Sequence, residues 1–284
     1  MAFNICMVRI AGYPHTAAFD DLGTLLAAGL ADLGHPVRLA ANQIADNARN
    51  IVIGAHLLDV DPAAAALPAG TIIVNTEPLR DDGALPHDGR IWAERVLRWA
   101  RHCAIWDYSE ASTALLRARS GGDVRYLRLG WHPSLHRVAA AAEQDIDVLF
   151  YGAIDERRAA ILRALDDQVR VTAVFGVYGA PRDALITRAK VVLNLHRDEN
   201  ALFEAVRVAF LMNNAKAVVA EVGPRTVVDP AYLPGFAGAA YDALVPTTLA
   251  LVADGGARAA LEARALATLQ AMPQAAILAN LLAG

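Results

Sequence analysis

Short apolar, β-branched runs alternate with longer stretches of helical periodicity along nearly the whole chain. That alternation dictates parallel sheets covered by helices on both faces. In the first half, strands are expected at about 3–10, 37–40, 50–53, 71–74, 103–106 and 124–126. Between the first two, Leu22, Leu25, Leu26, Leu30 and Leu33 fall at helical spacing over 16–33, and Gly34 stops the helix. A second helix is expected over 92–101, and Ser109 is placed to cap a third over 110–119. A Gly130–Pro133 turn and an alanine-rich stretch, 135–145, then lead to a fresh strand at 146–151. From there the alternation restarts: helix 155–166, strand 169–174, helix 181–188, strand 190–195, helix 200–213, strand 216–220. A helical tail, 247–283, is interrupted by Pro273. The expected fold class is therefore α/β, with two Rossmann-like domains facing each other across a cleft. Their expected bounds are 1–138 and 145–270, with 271–284 a C-terminal helix able to pack back on the first domain.

The 284 residues are enough for two separate cores. No uncharged apolar run reaches about 18 residues, so no membrane span is expected. The start, MAFNICMVRI, has neither a basic leader nor a small-residue cleavage site, which reads as a cytoplasmic protein. Cys6 and Cys103 lie in expected strands, as small buried hydrophobes usually do. A net charge of −4 with no basic tract argues against nucleic acid as a partner. The oligomeric state is left open.

In open α/β sheets, ligands bind beyond the carboxyl ends of the strands, so polar residues that directly follow a strand matter most. After the first strand come Gly12 and Pro14, which set a tight turn, and His15 at the start of the next helix. A neutral imidazole there is either a general base on a hydroxyl or a loop histidine that caps the helix. As base it needs an orienting carboxylate, and Asp107, Asp20 and Glu77 are the candidates. Asn75-Thr76-Glu77-Pro78 offers an amide and an acid for acceptor hydroxyls, or a simple Asx turn into the proline.

The second half carries the stronger signal. Gly152 ends a strand and lets a ligand approach the backbone, and Arg157 and Arg158 either reach phosphate or decorate a solvated helix face. Phe175, Gly176, Val177 and Tyr178 follow another strand and suit a flat base stacked on backbone. The strand 190–195 delivers His196 and Arg197 to its end, where a helix is expected to begin, an arrangement suited to a pyrophosphate. Glu204 and Arg207 share a helix face, as a surface pair or with the carboxylate on a ribose. No acidic D-x-D motif leaves a strand; Asp145-Ile146-Asp147 enters one, so no metal site is expected.

The segments IDVLFYGAIDERRAAIL, VFGVYG and AKVVLNLHRDENALFEAVRVAFLMNNAKAVVAEVG resemble the donor-binding half of GT-B glycosyltransferases, nearest to the small bacterial CgeB-like group. The first-half stretch GYPHTAAFDDLGTLLAAGLADLGHPV is similar to the acceptor-side domain of inverting members. From their strand-end positions Gly12 and Glu77 are expected on the acceptor side, and the resemblance implies His15 as the acceptor base with Asp107 as its orienting aspartate. It implies Gly152, Arg157, Phe175, Gly176, Val177, Tyr178, His196, Arg197, Glu204 and Arg207 around a UDP-, GDP- or dTDP-linked sugar, with no cofactor and no metal. Many GT-B enzymes carry two glutamates seven apart, whereas Glu199 and Glu204 here are five apart. The expected activity is sugar transfer to a hydroxyl-type acceptor. The alternative is a non-catalytic GT-B-like module that binds a nucleotide or a glycan.

Overall fold

Buried β-branched runs set the layout. The computed structural model describes residues 1–62, 67–80, 87–139, 141, 143–198 and 202–283. Two compact units form, Met1–Leu129 together with Gln274–Gly284, and Gly130–Pro273.

In the first unit the elements run β1 (Phe3–Met7), α1 (Asp20–Asp32), β2 (Val37–Ala41), β3 (Arg49–Ile53), β4 (Ile72–Asn75), α2 (His87–Trp99), β5 (Ala104–Asp107), α3 (Glu110–Ser120) and β6 (Val124–Tyr126). The strands make one parallel sheet in the order β2-β1-β3-β4-β5-β6. Alternate β1 residues serve opposite faces, and Phe3, Asn4, Ile5 and Cys6 are all buried, as a sheet covered on both sides requires. On one face Cys6, Val52, Ile73 and Ile105 pack with Val96, Trp99 and Leu116 of α2 and α3. β1 stops at Met7, short of the expected Ile10. Beyond it the Asn42 side chain accepts from the Arg9 N–H at 2.7 Å and donates to the Arg9 carbonyl at 2.8 Å, which replaces the ladder.

The second unit runs β7 (Ile146–Tyr151), α4 (Glu156–Asp166), β8 (Val171–Val174), α5 (Gly179–Arg188), β9 (Ala189–Asn194), α6 (Ala205–Asn213), β10 (Ala217–Glu221), β11 (Ala237–Ala239), α7 (Leu244–Ala253) and α8 (Gly255–Gln270). Its parallel sheet has the order β11-β10-β9-β7-β8. Val148, Phe150, Val191, Leu193 and Val219 pack there against Ile161, Leu162 and Leu165 of α4. After Pro273 the chain enters α9 (Gln274–Ala283), which belongs to the first unit and packs on α1. The helix expected from residue 200 starts only at Ala205, with Glu204 as its N-cap residue; Glu199 lies outside the described residues. No described helix is long and apolar enough to cross a membrane.

Candidate functional site

Each sheet reverses its winding once, between β1 and β3 in the first unit and between β7 and β9 in the second. At such a switch the connecting loops diverge and leave a crevice at the carboxyl ends.

At the first switch, β1 leads into a turn in which Gly12 has φ +75°, a conformation that favours glycine. A 3₁₀ turn, Pro14–Phe19, follows and carries His15, half-buried with the Tyr13 ring edge-on at 5.1 Å. The carboxylates considered as partners for His15 are all engaged elsewhere. Asp20 pairs with Arg9. Asp107 ends β5, three strand spacings or roughly 14 Å from β1. Its oxygens accept from Asn75 Nδ2 at 2.6 Å and from the Ser109 N–H at 2.7 Å. Ser109 in turn caps α3 through the Ser112 N–H. Asn75 closes an Asx turn, accepting from the Glu77 N–H at 3.0 Å and donating to the Glu77 carbonyl at 2.7 Å. Of its two readings, the Asx turn is therefore the one observed, and the amide of Asn75 is committed to it and to Asp107.

Glu77 itself meets His56, Oε1 to Nε2 at 3.2 Å, while Thr76 Oγ1 lies 3.3 Å from His56 Nδ1. The rings of Phe19 and Trp92 stand edge-on to the imidazole at 6.0 and 5.4 Å. Burial pushes the Glu77 carboxyl up to about 8 and Asp107 up to about 7. It lowers His56 to about 3, with the Arg95 guanidinium adding to the effect. Burial thus drives all three groups toward their neutral forms.

The second switch is built differently. β7 delivers Tyr151 and Gly152 to its end, and β9 delivers Asn194 and then His196. A Cβ at Gly152 would sit 3.2 Å from Phe150 Cζ and 3.4 Å from Arg207 Nη2, so the missing side chain is what lets the guanidinium approach the strand end. Asp155 caps α4 by accepting from the Arg158 N–H at 2.9 Å. Neither arginine that follows lies on a solvated face. Arg157 binds Glu221 with both terminal nitrogens, at 2.8 and 2.5 Å, and its guanidinium lies 3.9 Å over the Tyr241 ring. Arg158, buried, donates to the Leu195 and Ala153 carbonyls and to Glu204 Oε1 at 3.1 Å. Arg207 Nη2 meets Glu204 Oε2 at 2.9 Å, with the Tyr151 ring 4.8 Å below its guanidinium. Arg197 is 61% exposed and 3.8 Å from Asp155.

The structure thus gathers Gly152, Arg157, His196, Arg197, Glu204 and Arg207 at one strand end. It places Phe175, Gly176, Val177 and Tyr178 after the edge strand β8, with Phe175 58% exposed and Tyr178 at the N-cap of α5. His196 is buried with neither ring nitrogen hydrogen-bonded, and Asn194 Nδ2 beside it is likewise unpartnered. Burial lowers the His196 pKa, and the Arg157 and Arg158 charges act in the same sense against Glu221 and Glu204. His56, Asn194 and Glu221 were not singled out by sequence. For Glu221 a signal existed, a carboxylate closing the otherwise apolar strand AVVAE. For Arg158 the sequence offered phosphate or solvent, and only the fold shows that this turn of α4 is covered. Asp145 and Asp147 pair with Arg188, Arg170 and Lys190 at the opposite, amino end of the sheet.

No family model matches the chain, and no curated protein matches it in sequence. Solved structures do. T4 phage BGT in complex with its UDP-glucose substrate superposes with a TM-score of 0.60 at 11% identity, over 99% of this chain and 98% of that one. HepE from Anabaena in complex with UDP gives 0.60 at 13% identity, over 100% of both chains. WaaG, a glycosyltransferase involved in lipopolysaccharide biosynthesis, gives 0.59 at 10% identity, over 97% and 98%. The fold is GT-B. Each GT-B half is a Rossmann-like domain with one switch point; the carboxyl end of the first sheet carries a buried acid–amide pair, and that of the second carries guanidinium groups.

Proposed function

We propose that the protein is a glycosyltransferase of the bacterial CgeB-like kind, moving a sugar from a UDP-, GDP- or dTDP-linked donor to a hydroxyl-type acceptor without a metal ion. The observation that carries this reading is the second switch point. There, four arginines and an unpartnered buried imidazole converge at the strand end of a GT-B fold. Similar structures hold UDP or UDP-glucose.

In this reading the diphosphate lies at the end of β9, where Arg197 and Arg207 take up the negative charge that grows as the sugar–phosphate bond breaks. Guanidinium groups held in place stabilise such a leaving group without reorganising. Glu204, one oxygen on Arg158 and one on Arg207, is oriented to accept from the ribose hydroxyls. Phe175, with its ring exposed, and the backbone through Tyr178 frame the nucleobase. On the acceptor side His15 removes the hydroxyl proton if the transfer inverts configuration, and contacts substrate if it retains. Asp107, fully engaged by Asn75 and Ser109, fixes the Asn75–Glu77 turn.

Titrating the purified chain with UDP, GDP, dTDP and their glucose conjugates tests this. One nucleotide series is expected to bind in the micromolar range and to raise the melting temperature. Slow release of free sugar from the bound donor is expected without any acceptor. Binding with no release would move the protein to the non-catalytic module, and no binding by any of the six ligands would end the donor reading. His15→Ala is expected to reduce turnover and leave nucleotide binding unchanged.

A further inference from the structure

Among the arginines at the second switch point, Arg157 is held unlike the others. Its Nη1 donates both to Glu221 Oε2 at 2.8 Å and to the His196 carbonyl at 3.1 Å, and its Nη2 donates to Glu221 Oε1 at 2.5 Å. Glu221 Oε2 also accepts from the His196 N–H at 3.0 Å. The two charged side chains, one from the end of β10 and one from the first turn of α4, therefore take the N–H and the C=O of the same residue. Tyr241 braces them from a third side: its ring lies under the guanidinium and its hydroxyl donates to the Arg157 carbonyl at 2.8 Å. The Glu221 side chain is only 3% exposed.

We propose that Glu221 and Arg157 form a clamp that positions His196, and that Arg157 is a positioning residue and not a ligand of the donor phosphates. This rests on the reading of this strand end as the donor site. A phosphate could recruit Arg157 only by breaking a two-toothed ion pair whose carboxylate is buried and, among the described residues, makes no other salt bridge. Such a carboxylate, left alone, is strongly disfavoured. Arg197 and Arg207 face a lower barrier: Arg197 is exposed, and Glu204, the partner of Arg207, is itself 31% exposed and is also held by Arg158. The clamp holds a ring that needs holding: the His196 imidazole is buried without a hydrogen-bond partner. Burial keeps it neutral, so one nitrogen donates and the other accepts. A neutral imidazole fits a hydroxyl of the donor, which both donates and accepts, better than a phosphate oxygen, which only accepts.

Binding of UDP, GDP and dTDP and of their glucose conjugates, measured by calorimetry on the full chain, decides the matter through two double-mutant cycles. In the first, Arg157→Gln and Glu221→Gln are each expected to weaken the best-bound nucleotide diphosphate sugar by about 10-fold, with the double variant no more than about 2-fold worse than either. If Arg157 were a phosphate ligand, Glu221→Gln would release it and leave binding equal or tighter while Arg157→Gln weakened it, and the proposal would fall. The second cycle uses Glu221→Asp, which keeps the charge and shortens the reach, so that it retains a wild-type-like melting temperature where the glutamine variants unfold. Its loss of affinity is expected to vanish in a His196→Phe background, because it acts through the imidazole. An undiminished loss there would mean a merely structural carboxylate and would overturn the clamp. A wild-type chain that binds none of the nucleotides removes the donor reading and this proposal together. Binding with additive variants removes the proposal alone.

Discussion

The two switch points share a topology and differ in how they handle charge. At the end of the first sheet, Glu77, Asp107 and His56 are pushed by burial toward neutrality, with pKa values of about 8, about 7 and about 3. Their contacts are an Asx turn, an amide–carboxyl bond and an acid–imidazole pair. At the end of the second sheet, Arg157, Arg158, Arg197 and Arg207 stay charged and are met by Glu221, Glu204 and Asp155. Winding alone fixes where a ligand can sit, and it is identical in kind at both ends. The side chains decide what can sit there. The neutral groups of the first end are largely buried and engaged with one another, whereas a guanidinium-lined end, with four cations against three carboxylates, suits an anion.

The comparison breaks most easily at Arg158. Its guanidinium is buried and satisfies the Leu195 and Ala153 carbonyls and one oxygen of Glu204. Arg158→Met would orphan all three, and a loss of roughly 3–5 kcal/mol is expected from breaking a buried charged network on one side. Only the transition of the second unit should move in a urea melt. An equally large change in the first unit's transition would mean that the two ends are not held independently.

A smaller effect sharpens the same contrast from the other side. The folded Glu77 carboxyl keeps its proton to about pH 8, against an ordinary value of 4.5. Between those values the unfolded chain has released a proton that the folded chain still holds, so the first unit loses stability as pH rises from about 4.5 to about 8. Asp107 acts the same way from 3.8 to about 7. His56 runs opposite: it is neutral when folded, and stability falls as pH drops below 6.5 toward about 3. Glu77→Gln is expected to remove its share, so that the variant gains ~1–3 kcal/mol relative to wild type between pH 5 and 8. A stability difference that stays flat over that range would show that the first end does not keep its acids neutral.

The sheets were legible in the sequence because both are buried on two faces, and such strands appear as continuous β-branched runs: IIVN, AKVVLN and AVVAE stand out. Helix ends with chemical stops were legible too, as with Ser109 and Pro273. The ends of β1 and the start of α6 were not, because long-range side chains settle them: Asn42 for the first, and for the second the pairing of Glu204 with Arg158. At the site, residues directly after strands could be named, and Gly152, His196, Arg197 and Glu204 do gather at one strand end. Who pairs with whom could not be read, since Arg157 meets Glu221 across 64 positions and His56 meets Glu77 across 21. Sequence spacing carries no information about partners brought together by a crossover.

The smallest effect on stability should accompany one of the clearest on binding. Arg197 is the cation of the second end that the fold uses least: its side chain is mostly exposed, and its ion pair with Asp155 spans 3.8 Å. Exposed pairs at that separation contribute little, so Arg197→Gln is expected to leave the melting curve within about 0.5 kcal/mol of wild type. A guanidinium that is not consumed by the fold remains available to an anion. The same variant is therefore expected to weaken nucleotide diphosphate binding by about 10-fold at low salt, with the deficit shrinking as ionic strength screens the wild-type contact. Unchanged affinity with unchanged stability would make Arg197 an ordinary surface arginine, and the anion-binding character of the second switch point would then rest on Arg207 alone.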